Sequence, residues 1–213
     1  MKPRQYKMSE PQRQWVRDWW RSLQREEQDS DALPGELRGQ GPADRARLRR
    51  CENAEELLSN SATLLFARRI IAMGAGNKVF SDESRAYEQL AWVAGALAHV
   101  KEDLNDDKTL ALHLGKASSG ERPVMSELRF RSLQAAAETD DFFLQIRRAI
   151  QLAGKKADVV RLADDLFVWQ LEQGKSASRA SSGVKFHWAY DYYLSAGQKA
   201  AADELESIKE NLQ

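Results

Sequence analysis

Apolar residues recur at three- and four-residue intervals through nearly every patterned stretch of this chain, and no β-branched alternation competes with them. Trp15, Trp19, Trp20 and Leu23 share one face of a helix over 14–23, and Leu90, Val93, Ala94, Leu97 and Ala98 share another starting near Ser84. Leu64 to Met73 is apolar around most of its circumference, the mark of a helix central to a core. Further helices are expected from Ser126 through Ala136, from Thr139 or Asp140 through Ala153, over 159–171 and over 184–196. Such stripes are buried helix against helix, so the expected fold class is all-α.

Turn residues divide this pattern. Pro34, Gly35, Gly39, Gly41 and Pro42 mark a loop over 28–42, and Asn53 with Glu56 forms a capping box for a short helix through Leu58. Lys101 to Pro123 is polar and glycine-containing, which predicts a boundary between two packed helical lobes. The expected organisation is an N-terminal helical lobe over 11–100, a linker over 101–124, a C-terminal helical lobe over 125–196 and an extension over 197–213. The stretch 174–183 is low in complexity and reads as a loop.

Charge excludes some function classes and localises others. Lys and Arg together number 32, as do Asp and Glu, so the molecule as a whole exerts no long-range pull on a polyanion. Locally the balance differs. Between Asp44 and Lys78, seven bases face four acids, whereas between Asp82 and Asp107 seven acids face only Arg85 and Lys101. The single Cys51 excludes an internal disulfide. Met1 to Glu10 has no apolar signal region and no run of about 18 apolar residues occurs. A cytoplasmic protein without a membrane span is expected.

Two arginine-rich helical segments stand out, far apart in the chain. One contains Arg45, Arg47, Leu48, Arg49 and Arg50. The other contains Arg129 and Arg131, then Ile146, Arg147 and Arg148. In the second, Phe142, Phe143, Ile146, Ala149, Ile150 and Ala153 lie on one helix face at 100° per residue. Arg147 falls at the edge of that face, and Arg148 nearly opposite it beside Leu144, Gln151 and Leu152. Guanidinium groups aimed from rigid helices suit phosphate binding, though for most individual arginines a solvated helix face is the commoner explanation.

No catalytic constellation competes. His99, His113 and His187 have no ligand spacing relative to one another or to Cys51, so no metal is expected. The serines at 118–119 and 181–182 have no nucleophile elbow. Asp164 and Asp165 point about 100° apart and are expected at the surface or paired with Arg161. Gly74-Ala75-Gly76-Asn77-Lys78 follows a helix rather than a strand, unlike a phosphate loop. Five of the six tryptophans lie on apolar stripes, and Trp20, flanked by Arg17 and Arg21, is the one expected to reach the surface. No catalytic residue, metal or cofactor is expected.

The order of segments carries a resemblance. A Leu-Arg-Arg helix end at 48–50 is followed by the acidic turn Glu52-Asn53-Ala54-Glu55-Glu56, then by a helix pair containing Leu133 and Ile146-Arg147-Arg148. Asp165-Leu166-Phe167-Val168-Trp169 and Phe186-His187-Trp188-Ala189-Tyr190-Asp191-Tyr192-Tyr193-Leu194 close the series. The chain resembles the small subunit of the type I-E CRISPR surveillance complex Cascade, the CasB family, over roughly Gln12 to Leu194. The resemblance implies a two-lobed, non-enzymatic, all-helical protein, two copies of which lie head to tail along an RNA-guided complex. Its implied partners are the backbone and large subunits, a second copy of itself, guide RNA, and the target and displaced DNA strands. Carried over by motif, Arg50 and Arg148 line a DNA-facing surface, with Arg49 and Arg147 as neighbours and Lys185 as a further basic contact. The loop at 174–183 and the tail after Ser195 are extensions of that pattern. The alternative is a helical protein–protein adaptor whose Leu144–Arg148–Leu152 face docks an acidic partner without nucleic acid.

Overall fold

A computed structural model of the chain describes residues 4–24, 33–116, 122–173 and 179–194. The protein is all-α. Its helices are α1 (Glu10–Gln24), α2 (Pro42–Leu48), α3 (Ala54–Leu58), α4 (Ser61–Met73), α5 (Glu83–Leu97), α6 (Leu110–Gly115), α7 (Glu127–Ala135), α8 (Thr139–Leu152), α9 (Val159–Glu172) and α10 over 184–194. None of them is long and apolar enough to cross a membrane. Two residues, Glu102–Asp103, pair in parallel with Lys156–Ala157, a short ladder that the helical periodicity did not signal. The first half of the low-complexity loop, 174–178, and the whole extension lie outside the described residues.

Two helices organise the core. Every residue of α5 from Gln89 to Leu97 is buried, as is every residue of α9 from Val159 to Gln170. A helix enclosed on all sides needs apolar residues all round it, and the small side chains Ala91, Ala94, Gly95 and Ala96 let α5 do this at close range. Helices α3, α4, α8 and α9 pack on α5, while α1 packs on α2, α4 and α9. One connected apolar cluster therefore runs from Trp19 and Leu48 through Leu97 to Ile146, Phe167 and Tyr192. The 101–124 stretch joins it through buried Thr109, Leu110, Ala111 and Leu114, and Thr109 Oγ1 donates to Asp191 of α10 at 2.7 Å.

All six tryptophans are buried. Those of α1 reach main-chain acceptors: Trp15 Nε1 donates to Phe66 O, Trp19 Nε1 to Ala62 O, and Trp20 Nε1 to Val100 O at 3.2 Å. Trp20 thus departs from the expected surface position, because the carbonyl after α5 satisfies its indole inside the protein. Asn53, Asp82, Thr109 and Asp158 cap their helices by accepting main-chain N–H bonds. Half of the expected capping box forms at α3: Glu56 N donates to Asn53 Oδ1, while the Glu56 carboxylate accepts from Glu52 N, one residue ahead of the cap, and from Asn53 Nδ2.

Asp164 and Asp165 overturn the surface expectation. Both are fully buried, and Arg4, from the segment preceding α1, bridges them at 2.5 and 2.6 Å. Lys7 N and Met8 N also donate to Asp164, Trp188 Nε1 donates to Asp165 at 2.8 Å, and Arg161 lies 3.7 Å from Asp165 as expected. Burial works against the Arg4 charge, but the two carboxylates outweigh it and raise its pKa. The N-terminal segment is thereby fastened to α9 and α10.

Candidate nucleic-acid interface

The turn after α2 is fixed by what it buries. Leu48 and Cys51 both point into the core, which leaves the two residues between them, Arg49 and Arg50, facing outward. On α8, Phe142, Phe143, Ile146, Ala149 and Ile150 are buried, so Arg148 projects to solvent and Arg147 lies at the margin, as the periodicity predicts. Arg147 then joins the two segments. Its guanidinium donates to Arg49 O at 3.4 Å and to Cys51 O at 3.5 Å, long contacts that span nearly a hundred residues of sequence.

These residues open onto a cleft of about 1130 Å³ lined by Arg49, Arg129, Arg147 and Arg148. Phe143, Leu144 and Leu152 supply its apolar wall, and Leu144 is 43% exposed. Three carboxylates, Glu52, Asp140 and Asp141, also line it. Asp140 and Asp141 occupy the first turn of α8, where the helix dipole favours them. Among the described residues, Arg49, Arg50, Arg129 and Arg148 make no ion pair, whereas Arg47 pairs with Asp44 and Arg131 with Glu127.

His99, just beyond α5, reports the field in this cleft. Burial, reinforced by the charges of Arg147, Arg49, Arg45 and Lys155, pushes its imidazole down to about 4, so it is neutral at physiological pH. Arg45 itself is structural: its guanidinium donates to Ala98 O at 3.0 Å and Val100 O at 2.9 Å, binding carbonyls at the end of α5.

Arg49, Arg147 and Arg148 of the expected set are thus brought together. Arg50 faces an adjoining depression of about 570 Å³ with Arg47, Cys51 and Glu56. Lys185 is elsewhere, over the Trp169 ring at 5.6 Å and in a small pocket with Glu172 and Phe186. Arg129 and His99 are additions that motif matching did not supply. Arg129 belongs to the second arginine-rich segment, but nothing in its spacing ties it to Arg49. His99 has no sequence signal for its position.

A profile of the family described as CRISPR-associated protein Cse2 matches residues 44–193, most of the chain and both arginine segments. The chain belongs to the Cse2 family. It is accordingly a small subunit of type I-E Cascade, a structural component that works with other subunits of a CRISPR complex. No curated protein and no solved structure matches this chain.

Proposed function

We propose that this Cse2 protein holds nucleic-acid backbone in the α2–α8 cleft and so stabilises the R-loop of the assembled complex, without catalysis and without reading sequence. The observation that carries this reading is the convergence on one cleft, beside Arg147, of Arg49, Arg129 and Arg148, which make no ion pair among the described residues. Arginine forks match phosphate geometry and can grip it with two parallel hydrogen bonds. Exchange between a DNA duplex and a guide–target hybrid is nearly balanced, so a few backbone contacts suffice to tip it. Arg50 extends the basic surface next to the cleft. Lys185, over the Trp169 ring and beside Glu172, is the weakest member of the set, because it lies apart from the cleft. The partners in this reading are the backbone and large subunits, a second copy of the chain, guide RNA, and the target and displaced DNA strands.

Photo-crosslinking from position 148 tests the reading directly. With a benzophenone amino acid replacing Arg148 in reconstituted complex, irradiation after target binding yields adducts to a DNA strand. Adducts to protein subunits alone would overturn the assignment and favour the adaptor reading.

A further inference from the structure

A second cationic depression opens at the other end of α5. It has a volume of about 620 Å³ and takes Lys7 from the segment before α1, Lys78 from the turn after α4 and Arg85 from the first turn of α5. Arg4 also lines it, but Asp164 and Asp165 already match its charge. The carboxylates in the lining are Asp82 and Glu172. Asp82 accepts from Arg85 N at 3.1 Å as the cap of α5, and Glu172 accepts from Val184 N at 3.1 Å. Both acids are thus committed to main-chain donors, whereas Lys7, Lys78 and Arg85 make no ion pair among the described residues.

Each of the three bases is carried by a pinned stretch of main chain. Lys7 N and Met8 N donate to Asp164 at 2.8 and 2.7 Å, and Met8 is buried. Lys78 opens a single turn capped by Asn77, which accepts from Val79 N, and Phe80 holds that turn by stacking on Phe167 of α9 with ring centroids 5.5 Å apart. The stretch Gly74-Ala75-Gly76-Asn77-Lys78 follows a helix and is no phosphate loop, yet it ends in a lysine presented from a fixed turn. Arg4 and Lys7 lie ahead of residues 44–193, the part matched by the Cse2 profile, so family membership alone does not supply this depression.

Its distance from the arginine cleft follows from α5. Arg85 and Leu97 bound most of that helix, and His99 of the cleft lies just beyond it. At 1.5 Å per residue the two openings are about 20 Å apart along the helix axis. That exceeds the Debye length of about 8 Å at physiological ionic strength, so the charges of one opening are largely screened from the other.

We infer that this depression is a second phosphate site, where Lys7, Lys78 and Arg85 hold a stretch of nucleic-acid backbone separate from the one in the α2–α8 cleft. Lysines act there as point charges and the arginine as a fork, and neither reads sequence. Helix α5 then spaces two backbone stretches and keeps them from meeting. The site rests on the reading of this chain as a backbone-holding subunit, but not on the residues of the cleft.

Two measurements on reconstituted complex test it. In the first, a benzophenone amino acid replaces Ser81, which lines the depression and leaves its cations in place. Irradiation after target binding should give adducts to a nucleic-acid strand, at nucleotides other than those reached from position 148. In the second, Lys7→Gln, Lys78→Gln and Arg85→Gln are combined, with assembly checked by size. The triple variant should release target DNA faster, and its slope against log salt should fall by up to about two, the value for three phosphate contacts on a single strand. Adducts from position 81 to protein alone, adducts at the same nucleotides as position 148, no adducts, or an unchanged slope would each overturn the second site. With DNA adducts still formed from position 148, the cleft reading would survive that result. Nucleic-acid adducts from position 81 with none from position 148 would instead uphold this site and count against the cleft.

Discussion

Arg147 on α8 donates to the main-chain carbonyl of Cys51 at 3.5 Å, so the two arginine segments of the sequence meet through the backbone of one and the side chain of the other. The same guanidinium also reaches Arg49 O and lies 5.6 Å from the Phe143 ring. Arg147 therefore positions the turn that presents Arg49, while Arg148, one residue on, faces solvent.

That division predicts different outcomes for adjacent substitutions. Arg148→Ala should leave stability within about 0.5 kcal/mol of wild type, as for most exposed positions. Arg147→Ala should cost about 1 kcal/mol through its lost hydrogen bonds. Urea denaturation of the two variants distinguishes them.

Arg4 predicts a larger effect at the other side of the molecule. Removing it as Arg4→Ala leaves Asp164 and Asp165 buried without their bridging cation, which should cost about 3–5 kcal/mol. Adding Asp165→Asn should recover part of that loss, since one buried charge is gone while an oxygen remains to accept from Trp188. A double-mutant cycle in urea measures the coupling.

His99 gives the fold a pH dependence with a definite sign. Its folded pKa of about 4 lies below the ordinary 6.5, so the unfolded chain binds more protons between those values. Its contribution to stability is complete above pH 6.5, falls as pH drops through the window and is lost below about 4. After screening, the change is on the order of 2 kcal/mol. His99→Gln should flatten that part of the stability profile. The imidazole pKa, followed by NMR, should also rise when a polyanion enters the cleft and offsets Arg147 and Arg49.

Gly95 sets the approach of three helices. A Cβ there would lie 2.8 Å from Leu57 Cδ2 on α3 and 3.0 Å from Phe143 Cζ on α8. The leucine tip can move for Gly95→Ala, but Gly95→Val should overpack the contact and cost about 1–3 kcal/mol. Thermal melts of the pair test this. Because Phe143 also walls the cleft, the valine variant should disturb the His99 resonances as well.

The local content of this structure was legible in the sequence. The 3.6-residue period places Phe142, Phe143, Ile146, Ala149 and Ile150 inward on α8 and Arg148 outward, and the Asn53–Glu56 spacing gives the cap of α3. What a single helix cannot encode is its distant partners. Asp164 and Asp165 looked like surface residues because the cation that balances them, Arg4, is some 160 positions away. Trp20 looked exposed because its neighbours Arg17 and Arg21 are charged, while its acceptor, Val100 O, comes from beyond α5. Motif order cannot tell that Arg49 lines the cleft and Arg50 the depression containing Arg47 and Cys51. Only the packing of α8 against the turn after α2 decides which of the two faces the cleft.

The salt dependence of target-DNA dissociation from reconstituted complex tests the central claim most directly. Wild type is compared with Arg49→Ala combined with Arg148→Ala, with assembly checked by size. If these groups hold backbone phosphates, the double variant loses DNA faster and its slope against log salt falls by up to about two, roughly one released counterion per contact. Parallel slopes and equal retention in a fully assembled complex would contradict the account.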